Sequence, residues 1–256
     1  INFIMYQSKK YSSLLNPKNE YVIFLINFIF IFIFINISPS IYGDSIEDFD
    51  SQNYITFSQN RLSIYPFIVS LFGINNLKIL IIFQTILFSL SLAYLCLKFT
   101  EKTNRKWGGF FQLSILINFV YLSYCGVVLT ECLFFSSINL IVALLLDLEK
   151  NFYRNTLIIS MLSGLLISLR PEGIVLALIF FIISFLSKNH KLNFFFLNLM
   201  ILSIFPIFEK VIYFQKYDER KSVFDNVIIG KIYMLSSSKN FKFTDFPELD
   251  YSFLND

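Results

Sequence analysis

Residues 156–187 read TLIISMLSGLLISL, RPEG, IVLALIFFIISFLS, and whether they form one membrane helix or two decides the topology of the whole chain. As one helix broken at Arg170-Pro171, the stretch would hold Arg170 and Glu172 near mid-bilayer, at about 3 kcal/mol each on insertion scales. As two short spans it moves both charges to a membrane face. The two readings also differ in where the remaining cations fall. With two spans, the basic clusters at residues 9–18, 98–106, 150–154 and 188–191 all lie on one side, and the opposite loops keep only Arg61, Lys78 and Arg170. With one, Lys188 and Lys191 change sides. Because loops rich in Lys and Arg stay cytoplasmic, two spans are the preferred reading.

Working outward, residues 21–38, 77–99, 108–128, 132–148 and 192–214 are further apolar segments of about spanning length, which needs roughly 20 helical residues. The fold class expected is therefore an all-α polytopic membrane protein of about seven transmembrane helices. Its bundle would cover residues 21–214, with a basic cytoplasmic arm at 1–20 and an extracytoplasmic tail at 215–256. Residues 64–74 are apolar but too short to cross, and should dip into the interface or pack on the bundle. Trp107 is placed to anchor at the membrane surface, and Pro206 should bend the last span.

Composition agrees with this architecture. The 256 residues are 55% hydrophobic and 15% charged, with 33 Phe and 14 Tyr, and the mean hydropathy is +0.63. A net charge of +3 is too small to point to nucleic acid. Cys96, Cys125 and Cys132 lack metal-type spacing. Cys125 and Cys132 either meet near one membrane face or are simply small buried hydrophobes, the second being the preferred reading. No cleaved secretory signal is recognisable. The chain begins at Ile1 and its tail stops without an obvious fold of its own, so it reads as a piece of a longer protein. No internal repeat or inverted half is visible, as a transporter would suggest.

The first outer loop, residues 39–76, is the chemical exception in this apolar chain, because it packs Asp44, Glu47, Asp48 and Asp50 into seven positions. If residues 44–57 form a surface helix, Ile46, Phe49, Tyr54 and Phe57 share one arc and face lipid or the bundle. Asp44, Asp48 and Ser51 then face water, and Asp50 falls on the apolar side without explanation.

Four pieces of sequence, in order, resemble the C-type membrane glycosyltransferases, the superfamily that includes the dolichyl-phosphate-mannose protein mannosyltransferases and the bacterial aminoarabinose transferases of lipid A. Gly43-Asp44-Ser45 resembles the family's first-loop aspartate motif. The stretch from Arg61 through Tyr65-Pro66 resembles the Tyr-Pro segment that closes that loop. Thr130-Glu131 with Leu133-Phe134 resembles the start of the family's fourth span, and Leu169 through Gly173 resembles its Arg-Pro-x-Gly turn between two short spans. The resemblance covers residues 21–190. The chain differs in lacking an adjacent Asp-Glu pair and a second proline near Pro66, which leaves the subfamily, the sugar and the acceptor open.

This resemblance implies transfer of a sugar from a polyprenyl-phosphate carrier to a hydroxyl or amide of a glycan, lipid or protein acceptor, at the outer face of a bacterial inner membrane. Asp44 takes the role of acceptor-activating base. An aspartate with an ordinary pKa of about 4 is ionised at neutral pH and can accept the hydroxyl proton as the sugar is displaced. The leaving phosphate needs cations, for which Arg170 and Arg61 are the candidates, since a guanidinium binds phosphate oxygens in bidentate fashion. Glu131, Tyr65 and Glu172 are supporting residues. A divalent metal ion held by Glu47, Asp48 and Asp50 could share the work, as in some members of the family.

Plainer readings stand beside these. The acidic loop beyond Asp44 reads better as a solvated connector, Arg61 as a surface charge, and Arg170-Pro171 equally well as a capped turn with a snorkelling arginine. Glu131 either pairs with Arg170 or caps its helix through Thr130. His190 lies in a basic inner loop and is assigned no chemistry. The alternative functions are a lipid-linked oligosaccharide or solute transporter and a non-catalytic membrane subunit.

Overall fold

A computed structural model of the chain describes residues 17–37, 51–58, 61–118, 122, 124–148, 151–186 and 192–217. These form nine α-helices and no strand. The helices are α1 (Pro17–Ile37), α2 (Ser51–Ile55), α3 (Ile64–Phe72), α4 (Leu77–Lys102), α5 (Arg105–Leu116), α6 (Thr130–Leu146), α7 (Phe152–Leu169), α8 (Gly173–Leu186) and α9 (Leu192–Lys216), with short 3-10 turns at Ile74–Asn76 and Tyr124–Gly126.

The pattern of burial is that of a membrane protein. Small polar side chains face inward: Gln84, Thr85, Ser89 and Ser91 on α4, Ser136, Ser137 and Asn139 on α6, and Ser160, Ser163 and Ser168 on α7 are all buried. Large apolar side chains, among them Ile26, Ile33, Leu178, Met200 and Ile207, face outward. In lipid, outward leucine costs nothing, while small or hydroxylated residues let helices approach closely. The buried hydroxyls are satisfied locally, as when Ser89 donates to the Thr85 carbonyl and Ser136 to that of Cys132. Three segments, Ile74–Lys102, Phe152–Leu169 and Phe195–Lys216, are long and apolar enough to cross a membrane. Among the described residues the protein is thus all-helical, with helices of the length and apolarity of an integral membrane protein.

Two helices organise the bundle. α4 packs against α1, α5 and α6, and α7 packs against α6, α8 and α9, while α3 lies across one end and touches α4, α7 and α9. Side-chain amides tie the seams, with Asn139 donating to Ser91 at 3.3 Å between α6 and α4, and Ser160 donating to Asn198 at 2.7 Å between α7 and α9. Along the second seam, a Cβ on Gly164 would lie 2.3 Å from the Leu202 carbonyl oxygen. That carbonyl has no α-helical donor, because Pro206 sits four residues on and carries no N–H.

The stretch at residues 156–187 folds as two helices packed side by side, joined by a turn over Arg170–Glu172. Gly173 makes the turn possible, since a Cβ there would fall 2.1 Å from the Leu166 carbonyl. Segments 21–38, 77–99, 132–148 and 192–214 coincide closely with α1, α4, α6 and α9.

The segment at 108–128 does not form one helix: α5 ends at Leu116, and Tyr124–Gly126 is a separate 3-10 turn. Twelve residues rise only about 18 Å, short of a hydrocarbon core of about 30 Å. The surface helix expected at 44–57 is described only from Ser51, as the five residues of α2. Ser51 does not face water. It is fully buried and donates to the Val128 carbonyl at 3.0 Å, because α2 turns its Ser51 and Tyr54 face into the bundle while Gln52 stays exposed. Phe57, with φ of 58°, ends this turn. Cys125 and Cys132 do meet, with sulfurs 3.4 Å apart, and both are buried.

Candidate functional site

The polar residues singled out in sequence converge where α2, α3, the start of α6, the turn after α7 and the end of α9 meet. At its centre, Arg170 Nη1 donates to Glu131 Oε1 at 2.8 Å, and Arg170 Nε lies 3.5 Å from Glu172 Oε2. Arg170 stands on a turn because Pro171 cannot continue α7 and Gly173 starts α8 immediately. Glu131 is in the first turn of α6, where the helix dipole favours a carboxylate.

From Glu131 the contacts run toward the first loop. Thr130 Oγ1 donates to Glu131 Oε2 at 3.1 Å, and the Tyr54 hydroxyl lies 3.5 Å from the same Thr130 oxygen. The Arg61 guanidinium sits over the Tyr54 ring, 5.2 Å from its centroid, and Tyr65 meets that ring edge-on at 5.0 Å. Two cations, two carboxylates and two tyrosines therefore form one connected group. Arg170 also lies over the Phe134 ring at 5.8 Å, which stabilises a guanidinium while leaving its edge for other acceptors.

The floor is buried. Gln84 of α4 donates from Nε2 to the Tyr65 hydroxyl at 2.9 Å and to the Leu129 carbonyl at 3.1 Å. Burial pushes the Tyr65 phenol well above its ordinary pKa, against the opposing effect of the Gln84 bond, so the hydroxyl stays protonated at any physiological pH. Two buried polar atoms at this end, Gln84 Oε1 and Ser63 Oγ, have no partner among the described residues. Native structures leave few such atoms, so this floor keeps unused capacity for water or a ligand.

The end of α9 clamps the returning loop. Glu209, buried, accepts from the Ser63 backbone N–H at 3.2 Å, just ahead of α3. The Tyr217 hydroxyl donates to the Phe57 carbonyl, and the Lys216 ammonium lies 4.1 Å from the centre of the Phe57 ring. The loop is thus fastened at Ser51, Tyr54 and Phe57.

Of the residues proposed from sequence, Arg170, Glu131 and Glu172 come into direct contact, and Arg61 and Tyr65 join them through Tyr54. Asp44, Glu47, Asp48 and Asp50 lie outside the described residues. Among the described residues no group of three His, Cys, Asp or Glu could hold a metal ion. Glu131 and Glu172 face the same guanidinium, whose charge opposes a divalent ion between them.

Sequence reading missed Tyr54 as a polar partner, and missed Gln84, Glu209 and Tyr217 altogether. Gln84 and Glu209 carried a usable signal, each being a strongly polar residue inside a long apolar segment. No family model matches the chain, and no curated protein or solved structure matches it.

Proposed function

We propose that the chain is a membrane glycosyltransferase, or part of one, that moves a sugar from a polyprenyl-phosphate carrier to an acceptor hydroxyl or amide at the face bearing Arg170. The observation that carries this reading is the unbroken series of contacts from Arg61 through Tyr54, Thr130 and Glu131 to Arg170, which presents two guanidinium groups on one rim. Arg170 uses Nη1 and Nε on carboxylates, and Nη2 has no partner among the described residues. With a third of its side chain exposed, it can add a phosphate oxygen without giving up Glu131.

In this mechanism Arg170 and Arg61 hold the phosphate of the donor and balance its charge as the glycosidic bond breaks. Asp44, seven residues before the buried anchor Ser51, accepts the proton of the attacking acceptor. Glu131 orients Arg170, and Tyr65 supports the ring of Tyr54 beneath Arg61. Glu47, Asp48 and Asp50 are the proposed ligands should a divalent ion take part, and a chelator applied to active membranes tests that separately. The proposed placement is a bacterial inner membrane with this face toward the periplasm. Cysteines introduced at Ser45 and Asn189 test it, because an impermeant thiol reagent should label only the first from outside.

The direct test supplies membranes containing the chain with labelled polyprenyl-phosphate sugar. Transfer should be detectable and should fall at least about 100-fold in Asp44→Asn, the usual scale for loss of a general base. Undiminished transfer by that variant would remove Asp44 from the mechanism.

A further inference from the structure

At the opposite, basic end of the bundle, α1, α4 and α5 enclose an open cavity of about 400 Å³ lined by Val22, Ile23, Asn27, Thr100, Gly108, Gly109 and Gln112. The two adjacent glycines of α5 have different reasons for being there. A Cβ on Gly108 would fall 2.0 Å from the Thr100 hydroxyl, so that glycine lets α5 touch α4. A Cβ on Gly109 would meet nothing within 4 Å. Glycine inside a helix costs about 0.5–1 kcal/mol relative to alanine, and no neighbouring atom accounts for it at 109. Its effect is to leave the cavity open. Two carboxamides, Asn27 and Gln112, line the same space and have no hydrogen-bond partner among the described residues.

We propose that this cavity binds an anionic glycerophospholipid. Its chemistry matches the cavity and its immediate surroundings. Lys106, exposed and about one helical turn before Gly109 on α5, supplies a cation for the phosphate at the edge of the cavity. Gln112, about two turns along α5 from Lys106, and Asn27 of α1 line the cavity with amide N–H groups that can donate to the ester carbonyls. Phe110 and Leu113 of α5, Ile117 just after it, and Val22, Ile26 and Ile29 of α1 are exposed apolar side chains along which acyl chains can lie. Trp107, 59% exposed beside the cavity, marks the interfacial depth at which a headgroup sits. A transmembrane helix of a partner would fill the apolar part but would leave two amides unpaired, at a cost in a lipid environment. The inference rests on the membrane character of the chain and does not depend on the proposed transferase activity.

The test is native mass spectrometry of the purified full chain titrated with phosphatidylglycerol or phosphatidylcholine of the same acyl composition. One phosphatidylglycerol should be retained per chain, about tenfold more tightly than phosphatidylcholine. Gly109→Leu, whose Cβ meets no atom within 4 Å and whose side chain extends into the cavity, should lose that retention while keeping the melting temperature of the unmodified chain. Gln112→Leu should weaken both lipids, and Lys106→Glu should remove the preference between them. Equal retention of the two lipids by the unmodified chain, or full retention of phosphatidylglycerol by Gly109→Leu, would overturn the proposal.

Discussion

Each end of the bundle carries one cation between two carboxylates, and the two trios are built in opposite ways. At the basic end Lys98 lies within α4, donates to both oxygens of Glu101 at 3.1 Å, and sits 3.7 Å from Asp147 at the end of α6. All three side chains are nearly closed off, at 12%, 12% and 6% exposure. At the other end Arg170 stands on a turn, with 33% of its side chain exposed and Glu172 at 52%. An ammonium surrounded on its own helix is a staple between helices, whereas a guanidinium on an open turn keeps donors for something else. The difference explains why chemistry is assigned to one end only.

Substitutions can break or sharpen that contrast. The largest effect is expected for Asp44→Asn, which should reduce transfer at least about 100-fold with little change in stability. Next is Lys98→Met. Breaking a nearly closed pair by removing one partner leaves a buried carboxylate, so roughly 3 kcal/mol of stability should be lost in a denaturant or thermal titration in detergent. Transfer per folded molecule should be unchanged.

Gly173→Ala should follow, at about 2 kcal/mol, because the methyl would strike backbone of α7 and cannot be relieved by a side-chain rotation. Since the same turn holds Arg170, this variant should lose activity as well as stability, unlike Lys98→Met. The smallest effect is expected for Tyr217→Phe, which removes one hydrogen bond to the Phe57 carbonyl. About 1 kcal/mol should be lost, and the turn at 56–58 should exchange amide hydrogen faster.

Much of this arrangement is legible in the sequence, for reasons that can be named. Apolar runs bounded by charge or proline place α1, α4, α6 and α9, because in a bilayer the length and polarity of a segment alone constrain it strongly. The Arg170-Pro171 break is readable for the same reason, as proline and buried charge both argue against one continuous helix. The stretch at 108–128 misleads because its apolarity is continuous while the backbone changes to a 3-10 turn after α5, and no proline announces the break.

The position of Ser51 misleads differently. A helical wheel places a residue relative to its own helix, whereas Ser51 is fixed by a carbonyl 77 positions away, at Val128. Glu131 and Arg170 were candidates for pairing by chemistry. That Tyr54 and Thr130 link them to Arg61 depends on tertiary packing that no local pattern encodes. Gln84 and Glu209 were visible as polar residues in apolar segments, and only their partners, Tyr65 and the Ser63 N–H, reveal that they support the site.

The two ends can be compared in a single assay. Transfer from labelled polyprenyl-phosphate sugar, normalised to folded protein, is measured for Arg170→Lys and Lys98→Met beside the unmodified chain. Arg170→Lys keeps the charge but loses the forked geometry, and should lower the rate at least about tenfold, while Lys98→Met should leave the normalised rate within about twofold. Equal losses in both variants, or full activity in Arg170→Lys, would contradict the assignment of the chemistry to the open end.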